Sequence, residues 1–359
     1  MFRPLRYLLL PFAWLYGLVV MGRNLLFDVG VLRSRRFPLP IIAVGNLAVG
    51  GTGKTPHTEY LLRLLSDFSV AMLSRGYGRR TVGFALAADS GRASDIGDEP
   101  AQMHRKFPEV VVAVDENRRE GIEILMREQN PPIEVVVLDD AFQHRYVRPG
   151  MNLLLTDYHR RFTHDFLMPV GRLREPASGK ARADIIIVTK CPENLSADEA
   201  SQIRKEMALQ AGQKIFFTTF GYGEPYPLFS QAATVSGQCL AGKPVLLITG
   251  IAKPAPLYRY LAQTSASIVE LSYPDHHHFT TNDLRRMSDA LASLPQDAVV
   301  VTTEKDAERL VEMSGLDNRL RQRLLVQPIV VRFLFGQQEE FNQNILDYVA
   351  KDSRNCAVD

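Results

Sequence analysis

Ile41-Ile42-Ala43-Val44-Gly45-Asn46-Leu47-Ala48-Val49-Gly50-Gly51-Thr52-Gly53-Lys54-Thr55-Pro56 is the stretch that decides the fold. Its first four residues are apolar and mostly β-branched, which predicts a buried strand. A glycine-rich turn follows, then helical spacing over 61–68. Strand, glycine turn ending in Lys-Thr, and helix together form the context of a phosphate-binding loop. Backbone N–H groups curl around phosphate oxygens, Lys54 brings a point charge to the β- and γ-phosphates, and the Thr55 hydroxyl suits Mg²⁺. Pro56 costs little in the first helical turn, where its N–H would have no intrahelical partner. Ala48 stands where the common loop pattern has glycine, and Gly50 and Gly51 supply the flexibility instead.

Further apolar runs occur at 70–73, 110–114, 135–138, 153–155 and 185–188, mostly separated by helical patterns such as 121–127. This predicts an α/β fold with a P-loop NTPase-type parallel sheet and helices on both faces. A strand over 216–220 runs into Gly221, Gly223, Pro225 and Pro227, which reads as a boundary. A second, smaller α/β series follows at 245–249, 268–271 and 299–302. Residues 329–335 read as a strand and 339–350 as a terminal helix. The expected division is 1–36, a helical segment; 37–220, the P-loop core; 221–335, a second α/β domain; and 336–359, a C-terminal helix and tail.

The 359 residues carry 42 Lys and Arg against 40 Asp and Glu, a net charge of +2. That balance excludes a surface built to grip nucleic acid. The charge is uneven, however. Arg3, Arg6, Arg23, Arg33, Arg35 and Arg36 lie in residues 1–36 with Asp28 as the one acid, so this segment is +5 and the remainder −3. The same segment holds Trp14 and an uncharged run over 7–22. Leu5, Leu8, Leu9, Phe12, Leu15, Tyr16 and Val19 keep helical spacing, and the opposite side is no more polar. Such a helix is buried in protein or in lipid. At about 24 Å it is short of the ~30 Å hydrocarbon core, and no small-x-small pattern marks a secretory signal. The reading is a helix in the cytoplasmic leaflet, with Tyr7, Trp14 and Tyr16 at the headgroups and arginines on anionic lipid. Packing on the protein's own core and a single spanning anchor are the alternatives. Cys191, Cys239 and Cys356, without C-x-x-C spacing, argue against a disulfide framework or a zinc site.

Phosphate-loop chemistry also needs an acidic strand end, which Val135-Val136-Val137-Leu138-Asp139-Asp140 supplies; which carboxylate meets the metal stays open. Thr189-Lys190-Cys191-Pro192 lacks the Asp of a guanine-reading N-K-x-D. Gly97-Asp98-Glu99-Pro100 puts two acids ahead of a helix, a place that suits a helix start as well as a base for an acceptor hydroxyl. Asp275-His276-His277-His278 is the only histidine cluster. Consecutive side chains cannot all point at one ion, so one His acting with an acid is the better chemistry, with a plain polar loop as the alternative. Ser74-Arg75-Gly76-Tyr77-Gly78-Arg79 is a glycine-flexed basic loop suited to an anionic substrate. Arg172, Arg174 and Glu175 form a second charged cluster, and either could be a solvated face.

Taken in order, these motifs resemble the tetraacyldisaccharide 4'-kinase (lipid A 4'-kinase) family. The matching residues also include Leu10-Pro11, Trp14-Leu15-Tyr16-Gly17, Asp139-Asp140-Ala141-Phe142-Gln143-His144, Leu173-Arg174-Glu175 and Thr303-Glu304-Lys305-Asp306. The resemblance implies transfer of the γ-phosphate of ATP to the 4'-hydroxyl of a tetraacylated disaccharide 1-phosphate, at the cytoplasmic face of the inner membrane. It implies that Ala48, Val49, Gly50, Gly51, Thr52, Gly53, Lys54 and Thr55 hold the nucleotide, and that Thr55, Asp139, Asp140 and Glu175 hold Mg²⁺. Asp98 matches the family's base, His276 its dyad partner, and Lys54 acts with them. Arg75, Tyr77, Gln143 and Arg174 are implied to meet the anionic lipid. Ala141 stands where the family usually has Gly, and a methyl there limits φ > 0. The family's two α/β domains are joined by a two-stranded linker, for which 216–220 and 329–335 are the candidates.

Overall fold

The computed structural model describes residues 8–90, 92–229, 240–275 and 277–356. After an N-terminal helix, Leu10–Asp28, come β1 (Ile41–Asn46), β2 (Val70–Ser74), β3 (Ala85–Leu86), β4 (Val111–Val114) and β5 (Val135–Asp139). Then follow β6 (Met151–Asp157), β7 (Ile185–Thr189), β8 (Lys214–Tyr222), β9 (Tyr226–Pro227) and β10 (Pro244–Thr249). The chain continues with β11 (Ser267–Ser272), β12 (Val299–Thr303), β13 (Leu324–Gln327), β14 (Ile329–Phe333) and a last helix, Gln338–Cys356.

Among the described residues the strands form two sheets. The larger has the order β14-β8-β7-β6-β1-β5-β2-β4-β3. It is parallel from β8 to β4 and antiparallel at both edges. β1, β2, β5 and β7 are buried at every residue, which is why they read as unbroken apolar runs. The helices Lys54–Leu64 and Asp98–Lys106 and the last helix pack on one face through Leu61, Leu62, Met103, Phe341 and Ile345. Ile122 and Leu125 cover part of the other face. β1 is central, and its end lies beside that of β5, with Val44 paired to Asp139. Ligands of such sheets bind outside the carboxyl ends of the strands.

The second sheet has the order β11-β10-β12-β13-β9, parallel except for β9. β8 and β14 carry the chain out to it and back, pairing antiparallel from Thr218↔Phe333 to Tyr222↔Ile329. β3 and β9 are only two residues long and carry no pattern. β13 follows directly on the short basic helix Asn318–Arg323, which hides its start.

The N-terminal helix runs beyond the uncharged stretch, because Leu25-Leu26-Phe27 continue its apolar pattern past Arg23 and Asn24. It stops where Gly30 takes φ +78°. Ala13, Gly17 and Phe27 are its buried residues. Phe12, Trp14, Leu15, Leu18 and Val19 are all more than 60% exposed, so this is no core helix of the protein itself. By length and composition alone it is long and apolar enough to cross a membrane.

Candidate active site

The helix Lys54–Leu64 starts at the end of the glycine loop. Gly53 caps it in the left-handed region (φ 86°, ψ 27°), and the Phe220 ring of β8 lies so close that an added Cβ would meet it at 2.5 Å. Only glycine satisfies both demands. The loop is braced from three sides. Asn46 donates to the Thr52 hydroxyl at 2.7 Å, and the Thr189 hydroxyl donates to the Thr52 carbonyl at 2.8 Å. Lys190 reaches the Gly51 carbonyl and pairs with Asp157 at 2.7 Å. Residues 172–174 run beside 47–49, with Val49 N–H on the Arg172 carbonyl (2.8 Å) and Arg174 N–H on that of Leu47 (2.7 Å).

Below the loop, His57 is fully enclosed. Burial lowers its pKa to about 4, so the ring is neutral, with one N–H and one acceptor. Those meet the Gly53 carbonyl at 2.7 Å and the Thr218 hydroxyl at 3.0 Å. The ring thereby ties the loop's last turn to β8. Nothing in the local pattern around His57 signals this contact.

Lys54 lies 3.5 Å from Asp140, whose carboxylate also receives Arg174 at 3.1 Å. Asp140 takes φ +47°, a conformation that Asp tolerates better than most residues. The left-handed residue is therefore Asp140 and not Ala141, so the methyl at 141 meets no conflict. Asp139 is buried and accepts the Thr58 hydroxyl at 3.0 Å. Burial, reinforced by the charge of Glu99, pushes its carboxyl up to about 7. The Thr55 hydroxyl donates to Glu99 at 3.1 Å. Glu99 is thus a site residue that the sequence reading passed over for its neighbour, Asp98.

The expected metal set divides. Glu175 is buried, with its carboxylate held by Arg182 (2.8 Å), Gln143 (2.9 Å) and Asn24 of the N-terminal helix (3.2 Å). Asp140 is engaged by Lys54 and Arg174. No group of three or more His, Cys, Asp or Glu placed to share an ion exists among the described residues, so Asp139, Asp140 and Glu175 are not gathered into one cluster. The Thr55 hydroxyl beside Glu99 and the enclosed Asp139 remains a set of hard oxygen donors that fits Mg²⁺.

The remaining candidates surround this centre. Gln143 donates to the Asn46 carbonyl at 2.7 Å and receives Arg174 at 3.3 Å. Tyr16 donates to the Arg174 carbonyl at 2.7 Å, so the apolar helix is tied directly to the loop's strap. Arg75 and Tyr77 are exposed, while Arg79 of the same loop turns inward to Glu116 at 2.6 Å. Asp98 opens the helix Asp98–Lys106 and pairs with Arg309 of the second sheet's helix Glu304–Val311 at 3.0 Å. His276 lies outside the described residues. Its neighbour His277 pairs with Asp283 at 2.9 Å and stacks on Tyr273.

Comparison with known proteins points to one family. The family model described as tetraacyldisaccharide-1-P 4'-kinase matches residues 5–350. The tetraacyldisaccharide 4'-kinase of Bacteroides thetaiotaomicron is 49% identical, over 97% of this chain and 94% of its own. The enzyme of the same name from Flavobacterium johnsoniae is 44% identical, over 97% and 98%. Among solved structures, LpxK from Aquifex aeolicus, crystallised in complex with ATP, superposes with a TM-score of 0.72 at 26% identity, covering 96% of this chain and 99% of that one.

Proposed function

The chain belongs to the tetraacyldisaccharide-1-P 4'-kinase family, and from that premise we propose how its own residues carry out the reaction. The γ-phosphate of ATP passes to the 4'-hydroxyl of tetraacyldisaccharide 1-phosphate, giving lipid IVA in lipid A biosynthesis. Ala48 to Thr55 cradle the phosphates with backbone N–H groups. Lys54 exchanges Asp140 for the β- and γ-phosphates, and Asp140 keeps Arg174. Thr55 and Asp139 would hold Mg²⁺, which would supply charge neutralisation at the phosphates. Asp140 and Glu175 serve from the next ring of contacts, by steadying Lys54, Arg174 and Gln143.

Asp98, with His276 as its partner, takes the proton of the 4'-hydroxyl as that oxygen bonds to the γ-phosphorus. The bond from phosphorus to the β–γ bridging oxygen breaks and ADP leaves. Arg75, Tyr77, Gln143 and Arg174 face the anionic disaccharide. The division 1–36, 37–220, 221–335 and 336–359 belongs to the same reading, with β8 and β14 as the link. The exposed apolar face of the N-terminal helix, followed by Arg33, Arg35 and Arg36, supports docking on the cytoplasmic face of the inner membrane, where ATP is available.

The observation that carries this reading is the meeting of Lys54, Asp140 and Arg174 at the ends of β1 and β5, with Tyr16 of the apolar helix on the same strap. The test follows label from γ-labelled ATP onto tetraacyldisaccharide 1-phosphate. Asp98→Ala is expected to bind ATP normally and transfer about 10²–10⁴-fold more slowly. Normal transfer by Asp98→Ala removes the base, and no label on the lipid from the unmodified protein removes the whole reading.

A further inference from the structure

Thr303-Glu304-Lys305-Asp306 has no part in the transfer as set out above, yet its surroundings lead to Asp98. The Thr303 hydroxyl caps the helix Glu304–Val311, which packs on the helix Asp98–Lys106 of the larger sheet. Asp306 is fully buried. Its Oδ2 accepts the Gly250 N–H at 2.9 Å and the Thr303 hydroxyl at 2.7 Å, which fixes the carboxylate at the ends of β10 and β12. Its Oδ1 lies 3.5 Å from Arg309 Nη1, one turn along the helix. Arg309 Nη2 then crosses to the other sheet and donates to Asp98 Oδ2 at 3.0 Å. The Arg309 side chain is only 9% exposed, so solvent screens these pairs weakly.

Other contacts already dock the helix Glu304–Val311 and its C-cap on the larger sheet's helices. Arg105 pairs with Glu308 at 2.9 Å, Lys106 bridges Glu304 and Glu59, and the Ala93 N–H meets Glu312 at 2.7 Å. Docking alone therefore does not depend on Arg309, which of these contacts is the one that ends on Asp98. We propose that Arg309 is a positioning residue for the phosphoryl transfer. Anchored by Asp306, it holds one oxygen of Asp98 and sets the direction of the carboxylate. The inference rests on Asp98 being the group that takes the acceptor proton. Asp98 stays 40% exposed, so the pairing leaves it open to the acceptor.

The anchor also reaches the histidine loop. An added Cβ on Gly250, whose N–H holds Asp306, would meet the His277 Cβ at 3.5 Å. One residue thus links Asp98 of the larger sheet to the segment that carries His276. The planar fork of Arg suits a bridge between two carboxylates, and Lys keeps only the charge.

A double-mutant cycle in the full-length protein tests this, with labelled ATP and tetraacyldisaccharide 1-phosphate. Arg309→Met is expected to lower kcat by about 30-fold or more, since small misplacements of a reacting group cost that much. KM for both substrates and ATP affinity are expected to stay within about threefold, and Arg309→Lys to recover part of the loss. In an Asp98→Ala background, Arg309→Met should cost nothing further. If the Met variant melts early, the Lys variant carries the same cycle. Unchanged kcat, or losses that multiply in the double variant, overturn the proposal. An active Asp98→Ala overturns the base reading and the proposal with it, whereas an inactive Asp98→Ala beside a fully active Arg309→Met removes Arg309 alone.

Discussion

The helices at the two ends of the chain are each 19 residues long, and they use their apolar residues in opposite ways. The last helix turns Phe341, Ile345 and Val349 into the core, each no more than 1% exposed. There Phe341 meets Phe216, Phe333 and Tyr60. The first helix attaches chiefly through polar groups, with Tyr16 on Arg174, Asn24 on Glu175 and Asp28 on Arg145. It leaves Trp14 and Leu18 at least two-thirds exposed. Apolar surface on that scale is not a folding device. Exposed patches of this kind are a general mark of interaction sites, and the polar roots of the helix run into the residues around the phosphate loop.

Substitutions can break this contrast, the largest effect first. Phe341→Ala should cost about 3–5 kcal/mol in denaturant unfolding, because the aromatic cluster cannot close the cavity. Leu18→Gln should stay within about 0.5 kcal/mol while lowering partition onto vesicles roughly tenfold. Equal stability losses at the two positions would abolish the distinction. Next come the tyrosines. Tyr348 accepts the Ile41 N–H at 2.9 Å, so Tyr348→Phe strands a backbone donor at the start of β1 and should cost about 1–3 kcal/mol. Tyr16→Phe should barely move the melting temperature and should lower turnover, since it frees the strap that bears Arg174.

The smallest effect is alkaline. Burial holds the Tyr348 hydroxyl well above the usual phenol range. Its contribution is therefore intact below about pH 10 and is lost as pH rises above that value, because the unfolded chain releases the proton first. Melting curves from pH 9 to 11 should flatten in Tyr348→Phe. An identical slope in both proteins would assign the alkaline loss elsewhere.

Local pattern carried most of the architecture. The apolar run at 41–44, the Lys-Thr at a helix start and the paired Asp at the end of β5 each combine one strand or helix signal with one chemical signal, and each lies in or beside the element expected, β1 running on to Asn46. The partners of those groups were not legible. Asp140 faces Lys54 and Arg174, and Glu175 is consumed by Arg182, because each carboxylate takes whichever cation the fold brings nearest. Glu99 was overlooked beside Asp98, since only the orientation of their helix tells the two acids apart. Arg309 lies 211 residues from Asp98, with no spacing rule to join them. The extension of the first helix to Asp28 could have been read from Leu25-Leu26-Phe27, but the polar pair Arg23-Asn24 masked it.

We propose that the exposed face of the first helix brings this kinase to the bilayer that holds its acceptor. Leu15→Gln/Leu18→Gln changes that face and leaves the polar roots intact. Turnover of this variant should be measured with tetraacyldisaccharide 1-phosphate in vesicles and, in parallel, in detergent. At least about a tenfold loss is expected on vesicles, with detergent turnover and ATP affinity retained. Equal turnover of variant and unmodified protein on vesicles would contradict it.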